Sequence, residues 1–246
     1  HILPQEYIVD DQRGIADPMG MAGVRLEVKV HIVTGAVTSA QNIVRSCHKS
    51  GLDVSDIVLE SLASAKAVLT EEEREIGVAL IDLGGGTCDI AIFANDSIKH
   101  TGVLALGGQN LTNDIAFGLR TPMAAAEKIK IKHGAAIAEM VRPDEYIEVP
   151  SVGGREPRRL SRQVLEICEP RMEEILTLLD QELVRSGLKN MIGAGVVLTG
   201  GTALIQGCQE LGEQVFNLPT RIGYPRNVGG LKDMVNSPKF ATAMGL

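Results

Sequence analysis

Ile81-Asp82-Leu83-Gly84-Gly85-Gly86-Thr87-Cys88-Asp89-Ile90 is the stretch whose reading decides the fold. The apolar run Val78-Ala79-Leu80-Ile81 leads into it and Ile90-Ala91-Ile92-Phe93 leads out. Continuous apolar runs of this length are the pattern of strands buried on both faces, so the glycines form the tip of a hairpin. Three successive glycines, Gly84, Gly85 and Gly86, let the backbone approach a ligand closely and turn N–H groups toward it, which suits a phosphate chain. Thr87 adds a hydroxyl donor. Asp82, at the end of a buried strand, is placed to hold hydrated Mg²⁺ beside those phosphates, because magnesium keeps several waters and takes few carboxylates. A Walker loop needs Gly-Lys-Ser/Thr and then a helix, and a dinucleotide fingerprint also opens a helix. No lysine follows these glycines, and a strand does. An ordinary glycine-rich hairpin is the plain alternative, but such hairpins rarely need three glycines with flanking aspartates.

A second turn strengthens the first. Val196-Val197-Leu198 is another buried-strand run, and it ends in Thr199-Gly200-Gly201-Thr202 before a helical pattern through Leu211. Alone the turn is weak, since many α/β proteins bend this way. Its position after a mainly helical stretch, 118–190, is what gives it weight. A turn of this kind can pass under a flat base or ribose. Within 118–190 the spacing predicts helices over Pro122–His133 and Leu160–Arg185, with a β-prone interlude at Tyr146–Val152.

Working outward, the first segment reads as β-rich. Tyr7-Ile8-Val9 is one strand, and Val24 to Val33 alternates apolar and polar residues. Asp10–Gly14 and Asp17–Gly20 carry turn chemistry, and Met19 and Met21 are expected to pack. A helix capped by Thr38 or Ser39 should end at Gly51, followed by a short strand Asp56–Leu59 and an alanine-rich helix Ser61–Leu69. Thr70 to Glu75 reads as a charged loop, and further strands are expected near Thr101–Leu106 and Pro219–Gly223. Alternating strands and helices define an α/β protein.

Composition narrows the function classes. With 246 residues, 44% hydrophobic and 22% charged, the chain can bury a large core. Aromatics supply only 3% and tryptophan is absent, so that core is aliphatic. A net charge of -7 argues against a general nucleic-acid binder, which needs excess cations to displace counterions. Cys47, Cys88, Cys168 and Cys208 form no CxxC pair, which argues against zinc; Cys88 and Cys208 read as buried reduced thiols. No run of 18 apolar residues is present to span a bilayer. His1 falls inside a strand pattern and Leu246 inside an apolar helical one, so both ends are expected to be cut.

Together the two glycine motifs resemble the actin-like (ribonuclease H-like) ATPase superfamily. Asp82–Thr87 is similar to its second phosphate loop, Gly200–Thr202 to its adenosine loop, and Ser237–Leu246 to the helix connecting back to the first lobe. Within it, Pro4–Asp11, Gly20–Glu27, Leu62–Leu69 and Ala126–Lys130 resemble the FtsA family of bacterial cell division proteins. That resemblance implies a two-lobed fold. Residues 1–36 would be the remainder of a small β/α subdomain, 37–76 part of the first lobe and 77–118 the second lobe with the phosphate hairpin. Residues 119–190 would be a helical insertion, 191–236 the rest of the second lobe, and 237–246 the connecting helix. The first phosphate loop would precede His1 and a membrane-binding amphipathic helix would follow Leu246.

The resemblance also implies roles. ATP with Mg²⁺ would be held by Asp82, Gly84, Gly85, Gly86, Thr87, Glu127, Lys130, Gly200, Gly201 and Thr202, with Asp82 meeting the metal through water. Glu60 stands where relatives place the carboxylate facing the attacking water, although Ser61 replaces the usual proline; equally, it is an acidic residue suited to a helix N-terminus. Glu127 and Lys130 share one helix face and would contact ribose and base, or else form a surface ion pair. Arg155, Arg158, Arg159 and Arg162 would meet the acidic C-terminal peptide of FtsZ, or else form a solvated basic loop. Implied partners are FtsZ, further copies in a filament, and other division proteins through the small subdomain. The implied location is the inner face of the cell membrane at the division site, with at most weak ATPase activity. A pilus-assembly adaptor of the PilM type or a chaperone-type ATPase would share the loops and fold.

Overall fold

The computed structural model describes residues 1–142, 144–226, 229–230 and 232–246. The period-2 stretches near the start pair as an antiparallel sheet of β1 (Ile2–Val9), β2 (Gln12–Ile15) and β3 (Leu26–Ile32), in the order β2-β1-β3. The turn expected over Asp10–Gly14 is shorter than its composition implies. Asp10 takes the left-handed conformation at φ 55°, and its carboxylate accepts from the N–H groups of Val24 and Arg25. Gln12 therefore pairs back with Val9 as a strand. Met19 and Met21 do not pack; both are exposed on the loop that follows.

α1 (Val37–Lys49) begins one residue before the expected caps, with Ala36 at the N-cap and no side-chain cap. It ends as expected, with Gly51 at φ +78° and the Leu52 N–H donating to Cys47 O. Asp56–Leu59 forms no strand and pairs with none among the described residues, so the apolar run alone does not make a strand there. α2 (Glu60–Val68) buries Ser61, Ala63, Ser64, Ala65, Ala67 and Val68, small side chains that admit close neighbours. The expected charged loop is instead α3 (Glu71–Ile76). Thr70 and Glu73 form a reciprocal capping box at its start, and that offsets the short length.

The remaining elements build the main layer. β4 (Val78–Leu83), β5 (Cys88–Ala94) and β6 (Ser97–Leu104) are an antiparallel meander, with Asn95 and Asp96 both left-handed at the second turn. Next come α4 (Gly108–Leu119), α5 (Met123–His133), the hairpin β7 (Tyr146–Val149) and β8 (Arg158–Ser161), and α6 (Cys168–Arg185). β9 (Val196–Thr199), α7 (Cys208–Phe216), β10 (Thr220–Ile222), α8 (Lys232–Val235) and α9 (Ala241–Gly245) complete the chain. The sheet order is β10-β9-β4-β5-β6, with β9 parallel to both β4 and β10. The helix expected from Leu160 starts only at Cys168, because Leu160 pairs across to Ile147 and a 3₁₀ segment, Arg162–Ile167, intervenes.

β4 is central and buried at every position. Ala79, Ile81 and Leu83 point into a core with residues of α4, α6 and α7, while Val78 and Leu80 point into a second core with Ala65, Val68 and Ala241. The two faces of one strand thus serve two layers of helices.

One ion pair ties the outer strand to the capped helix. Arg221 on β10 donates from Nε and Nη2 to both oxygens of Glu73, at 2.6 and 2.7 Å, and from Nη2 to Val68 O at 2.9 Å. Burial pushes the Glu73 carboxyl up, but the bonds from Arg221 and the Thr70 N–H outweigh it and hold the group below its usual value of 4.5. A depressed folded pKa means stability that is present above 4.5 and lost as pH falls through the folded value. Glu73→Gln keeps a capping-box acceptor and removes the charge. It is expected to cost about 1 kcal/mol at pH 7, a low figure because Arg221 is partly solvated. The difference from wild type in urea unfolding should shrink toward zero as the pH is lowered below 4.5.

Candidate functional site

The hairpin between β4 and β5 is held from one side. Gly84 O accepts from the Gly108 N–H at 3.0 Å and from Thr202 Oγ1 at 2.8 Å, and Gly85 O accepts from the Gln109 N–H at 2.7 Å. A trans peptide sets each C=O opposite the next N–H. With the carbonyls of Gly84 and Gly85 turned to the start of α4, the N–H groups of Gly85 and Gly86 point away from it. Both residues are exposed, and neither N–H has a partner among the described residues. A Cβ at either position would meet nothing within 4 Å. The tip therefore offers two uncommitted donors with room beside them, which fits a phosphate group.

The second glycine turn packs beneath it. Gly200 has φ +88°, and a Cβ there would lie 2.4 Å from Asp82 Oδ1 and 2.5 Å from Leu83 O. Only glycine allows the two turns to stack. Gly85, Gly201 and Thr202 then line one cleft of about 310 Å³ together with Glu127, Lys130, Ile131, Leu204, Ile205 and Lys239. Of the sequence-predicted nucleotide residues, Gly85, Glu127, Lys130, Gly201 and Thr202 line this cleft, whereas Asp82, Gly84, Gly86, Thr87 and Gly200 do not.

Glu127 and Lys130 on α5 have different positions in it. Lys130 is buried, and its ammonium donates to Gly108 O and Thr112 Oγ1, both at 2.9 Å, and meets Glu127 at 2.8 Å. All three donors are used inside the protein. Thr112 also donates to Glu127. Burial raises the Glu127 carboxyl, but the bonds from Lys130 and Thr112 bring it below its usual range, so it is ionised at neutral pH. One Glu127 oxygen carries these bonds, and the other has no partner among the described residues. Glu127 is the residue of the pair able to accept from a ligand hydroxyl, with Lys130 holding it in place.

Asp82 is buried at the end of β4, where Ser64 Oγ donates to Oδ2 at 2.8 Å and Thr242 Oγ1 lies 3.4 Å away. Burial pushes its pKa up, and these hydroxyls pull it back. Asp89 is raised by burial and then by the charge of Asp82, while Thr87 Oγ1 donates to it at 3.4 Å. Glu60, the first residue of α2, is raised by burial and then by Asp89 and Asp82. Glu60 and Asp89 thus each feel the negative charge of Asp82, which disfavours their own ionisation. Among the described residues no cluster of three His, Cys, Asp or Glu is close enough to cage a metal directly.

The four arginines do not act as one patch. Arg162 donates to His133 O at 2.9 Å and to Gln206 Oε1 at 2.6 Å, and also pairs with Glu145, so it is a structural clasp. Arg159 lies over the Tyr146 ring, 4.9 Å from its centre. Arg155 and Arg158 line a separate pocket of about 260 Å³ with Arg120, Ser151, Val152 and Glu156, and Arg158 also donates to Leu119 O. Cys88 and Cys208 are buried free thiols, which burial pushes up to about 12. Sequence reasoning missed Ser64, Thr112, Thr242 and Gly108. Only Thr112 carried a local signal, standing four residues after Gly108 on one helix face.

Solved structures define the class. MreB5 of Spiroplasma citri bound to ADP matches with a TM-score of 0.65 at 20% identity, over 86% of this chain and 64% of that one. The PilM-PilN type IV pilus biogenesis complex matches at 0.67 and 16% identity, over 100% of this chain and 65% of that one. The protein has the α/β actin-like ATPase fold. At these identities the likeness carries the fold alone.

Sequence comparison then gives the family. The model described as "Cell division protein FtsA" matches residues 79–245, and "SHS2 domain inserted in FTSA" matches residues 1–34. Cell division protein FtsA of Pseudomonas aeruginosa is 53% identical over 100% of this chain and 59% of its own length. That of Escherichia coli K12 is 45% identical over 100% and 60%. The chain belongs to the FtsA family of cell division proteins, and it spans about 60% of the length of these relatives.

Proposed function

We propose that the chain is the nucleotide-binding part of an actin-like cell division protein that binds ATP with Mg²⁺, polymerises, and links the FtsZ ring to the cytoplasmic membrane. The observation that carries this reading is the single cleft shared by Gly85, Gly201, Thr202, Glu127 and Lys130, beside the unpartnered N–H groups of Gly85 and Gly86. Gly84, Gly85, Gly86 and Thr87 would receive phosphate, Gly200, Gly201 and Thr202 would pass under the adenosine, and Glu127 would accept from the ribose. Magnesium would neutralise phosphate charge and would be held through water by Asp82. Glu60, with its raised pKa, is suited to orient or accept a proton from water, giving slow turnover. A neighbour of the same fold is bound to ADP in its own structure, which supports the nucleotide reading by fold analogy.

The acidic C-terminal peptide of FtsZ would dock on 119–190 beside Arg155, Arg158 and Arg159, which are not clasped as Arg162 is. Other division proteins would meet the small sheet of β1, β2 and β3. Membrane attachment, at the inner face at the division site, would come from an amphipathic helix; no helix of the described residues is long and apolar enough to cross a bilayer. The PilM-type adaptor reading shares the fold, but the cell division family match favours the first.

Calorimetric titration of the protein with Mg-ATP and, separately, with the FtsZ C-terminal peptide tests both parts. Saturable binding of each is expected. Absence of any nucleotide binding overturns the site assignment, and absence of peptide binding overturns the adaptor role.

A further inference from the structure

The hydroxyls behind Asp82 form an ordered chain. Ser64 is fully buried on α2, and its Oγ lies 2.8 Å from Asp82 Oδ2 and 2.9 Å from Thr242 Oγ1 on α9. A hydroxyl has one proton to give. The short contact to the carboxylate makes Ser64 the donor to Asp82, so Ser64 must accept from Thr242. The longer distance of 3.4 Å from Thr242 to the same carboxylate oxygen agrees with that order. Thr242 thus donates to Ser64 and Ser64 donates to Asp82, which fixes Oδ2 toward the protein.

The helix that carries Ser64 also begins with Glu60. Glu60 and Ser64 are four residues apart on α2 and share one face. α2 is pressed against α9 so closely that a Cβ on Gly245 would lie 1.7 Å from Ala63 O. The two helices are in direct contact, and the hydroxyl chain joins that pair to the end of β4.

We propose that Ser64 is a positioning residue, backed by Thr242, that orients the Asp82 carboxylate for the hydrated cation. The inference rests on the Mg²⁺-nucleotide reading above. Without the tie, Asp82 Oδ2 would lose its one short hydrogen bond and the carboxylate would be held less firmly toward the protein. Nucleotide contacts made by the glycine turns and by Glu127 do not pass through Ser64, so the cation-dependent part of binding alone should suffer.

The test compares ATP affinity in EDTA with affinity at saturating Mg²⁺. Ser64→Ala is expected to leave the EDTA value unchanged and to reduce the Mg²⁺-dependent gain about 10-fold, the size of one lost charge-assisted hydrogen bond. Thr242→Val should reduce it about 3-fold, and Thr242→Ser, which keeps the hydroxyl, should restore it. An unchanged Mg²⁺ gain in Ser64→Ala, or equal losses with and without Mg²⁺, overturns the positioning role. A double-mutant cycle of Ser64→Ala and Asp82→Ala in the ligand-free protein, read by urea midpoint, should be non-additive; additive shifts overturn the tie itself. If wild type binds no ATP under either condition, the nucleotide reading falls and the positioning role falls with it. The cycle then still separates a failed tie from a failed site.

Discussion

Gly85→Leu is expected to remove nucleotide binding and leave the fold as it was. Gly85 is exposed at the hairpin tip, its φ is outside the left-handed region, and nothing lies within 4 Å of an added Cβ. The backbone carbonyl that anchors it to Gln109 stays in place. The cost to stability should therefore stay within about 0.5 kcal/mol, as for other surface changes. The leucine side chain, however, enters the cleft that Gly85 lines with Glu127, Lys130 and Thr202. It also shields the adjacent N–H groups. ATP affinity should fall at least about 100-fold, or about 2.7 kcal/mol, with an unchanged urea midpoint. Retained affinity in the variant would show that phosphate does not sit at this tip.

Gly200→Ala has the opposite profile. Here the backbone sits at φ +88°, where alanine is strained by about 1–2 kcal/mol before any contact is counted. The new methyl would also press on Asp82 Oδ1 at 2.4 Å, whose other oxygen is held by Ser64, and on the backbone Leu83 O at 2.5 Å. Relief requires parting β9 from β4, whose pairing reaches Asp82 and Thr199. A loss of about 3–5 kcal/mol is expected, a large share of the stability of an ordinary domain. Thermal and urea unfolding should both shift strongly without any ligand present. A variant as stable as wild type would contradict the stacked arrangement of the two turns.

These two glycines are indistinguishable in sequence, since each stands in a glycine run after a buried strand. What differs is which atoms lie beyond the missing side chain, and that is decided by distant parts of the chain. The strands themselves were legible because burial on both faces writes an unbroken apolar run, as in Val78–Ile81 and Val196–Leu198. Leu160 was misread because a strand and a helix start can share one apolar residue among arginines, and cross-strand pairing to Ile147 settled it. The capping box at Thr70 was hidden by its own charges. Asp56–Leu59 failed for the opposite reason: a good strand composition has no meaning without a neighbour to pair with.

The site followed the same division. Glu127 and Lys130 were legible from a spacing of three, but their unequal roles came from Gly108 and Thr112 on another helix. Ser64 and Thr242 are 18 and 160 residues from Asp82 in sequence. No local pattern marks a lone buried hydroxyl. The arginines read as one cluster by proximity in sequence, whereas one is clasped by its own fold and another stacks on a ring.

β4 gives Ala79, Ile81 and Leu83 to one core, Val78 and Leu80 to the other, and carries Asp82 one residue before its end. The strand is a partition wall shared by two rooms. A repacking in either room leans on the wall, and the carboxylate at its edge registers the movement. A substitution in either layer, far outside the cleft, is therefore expected to be felt at Asp82 through the strand the layers share.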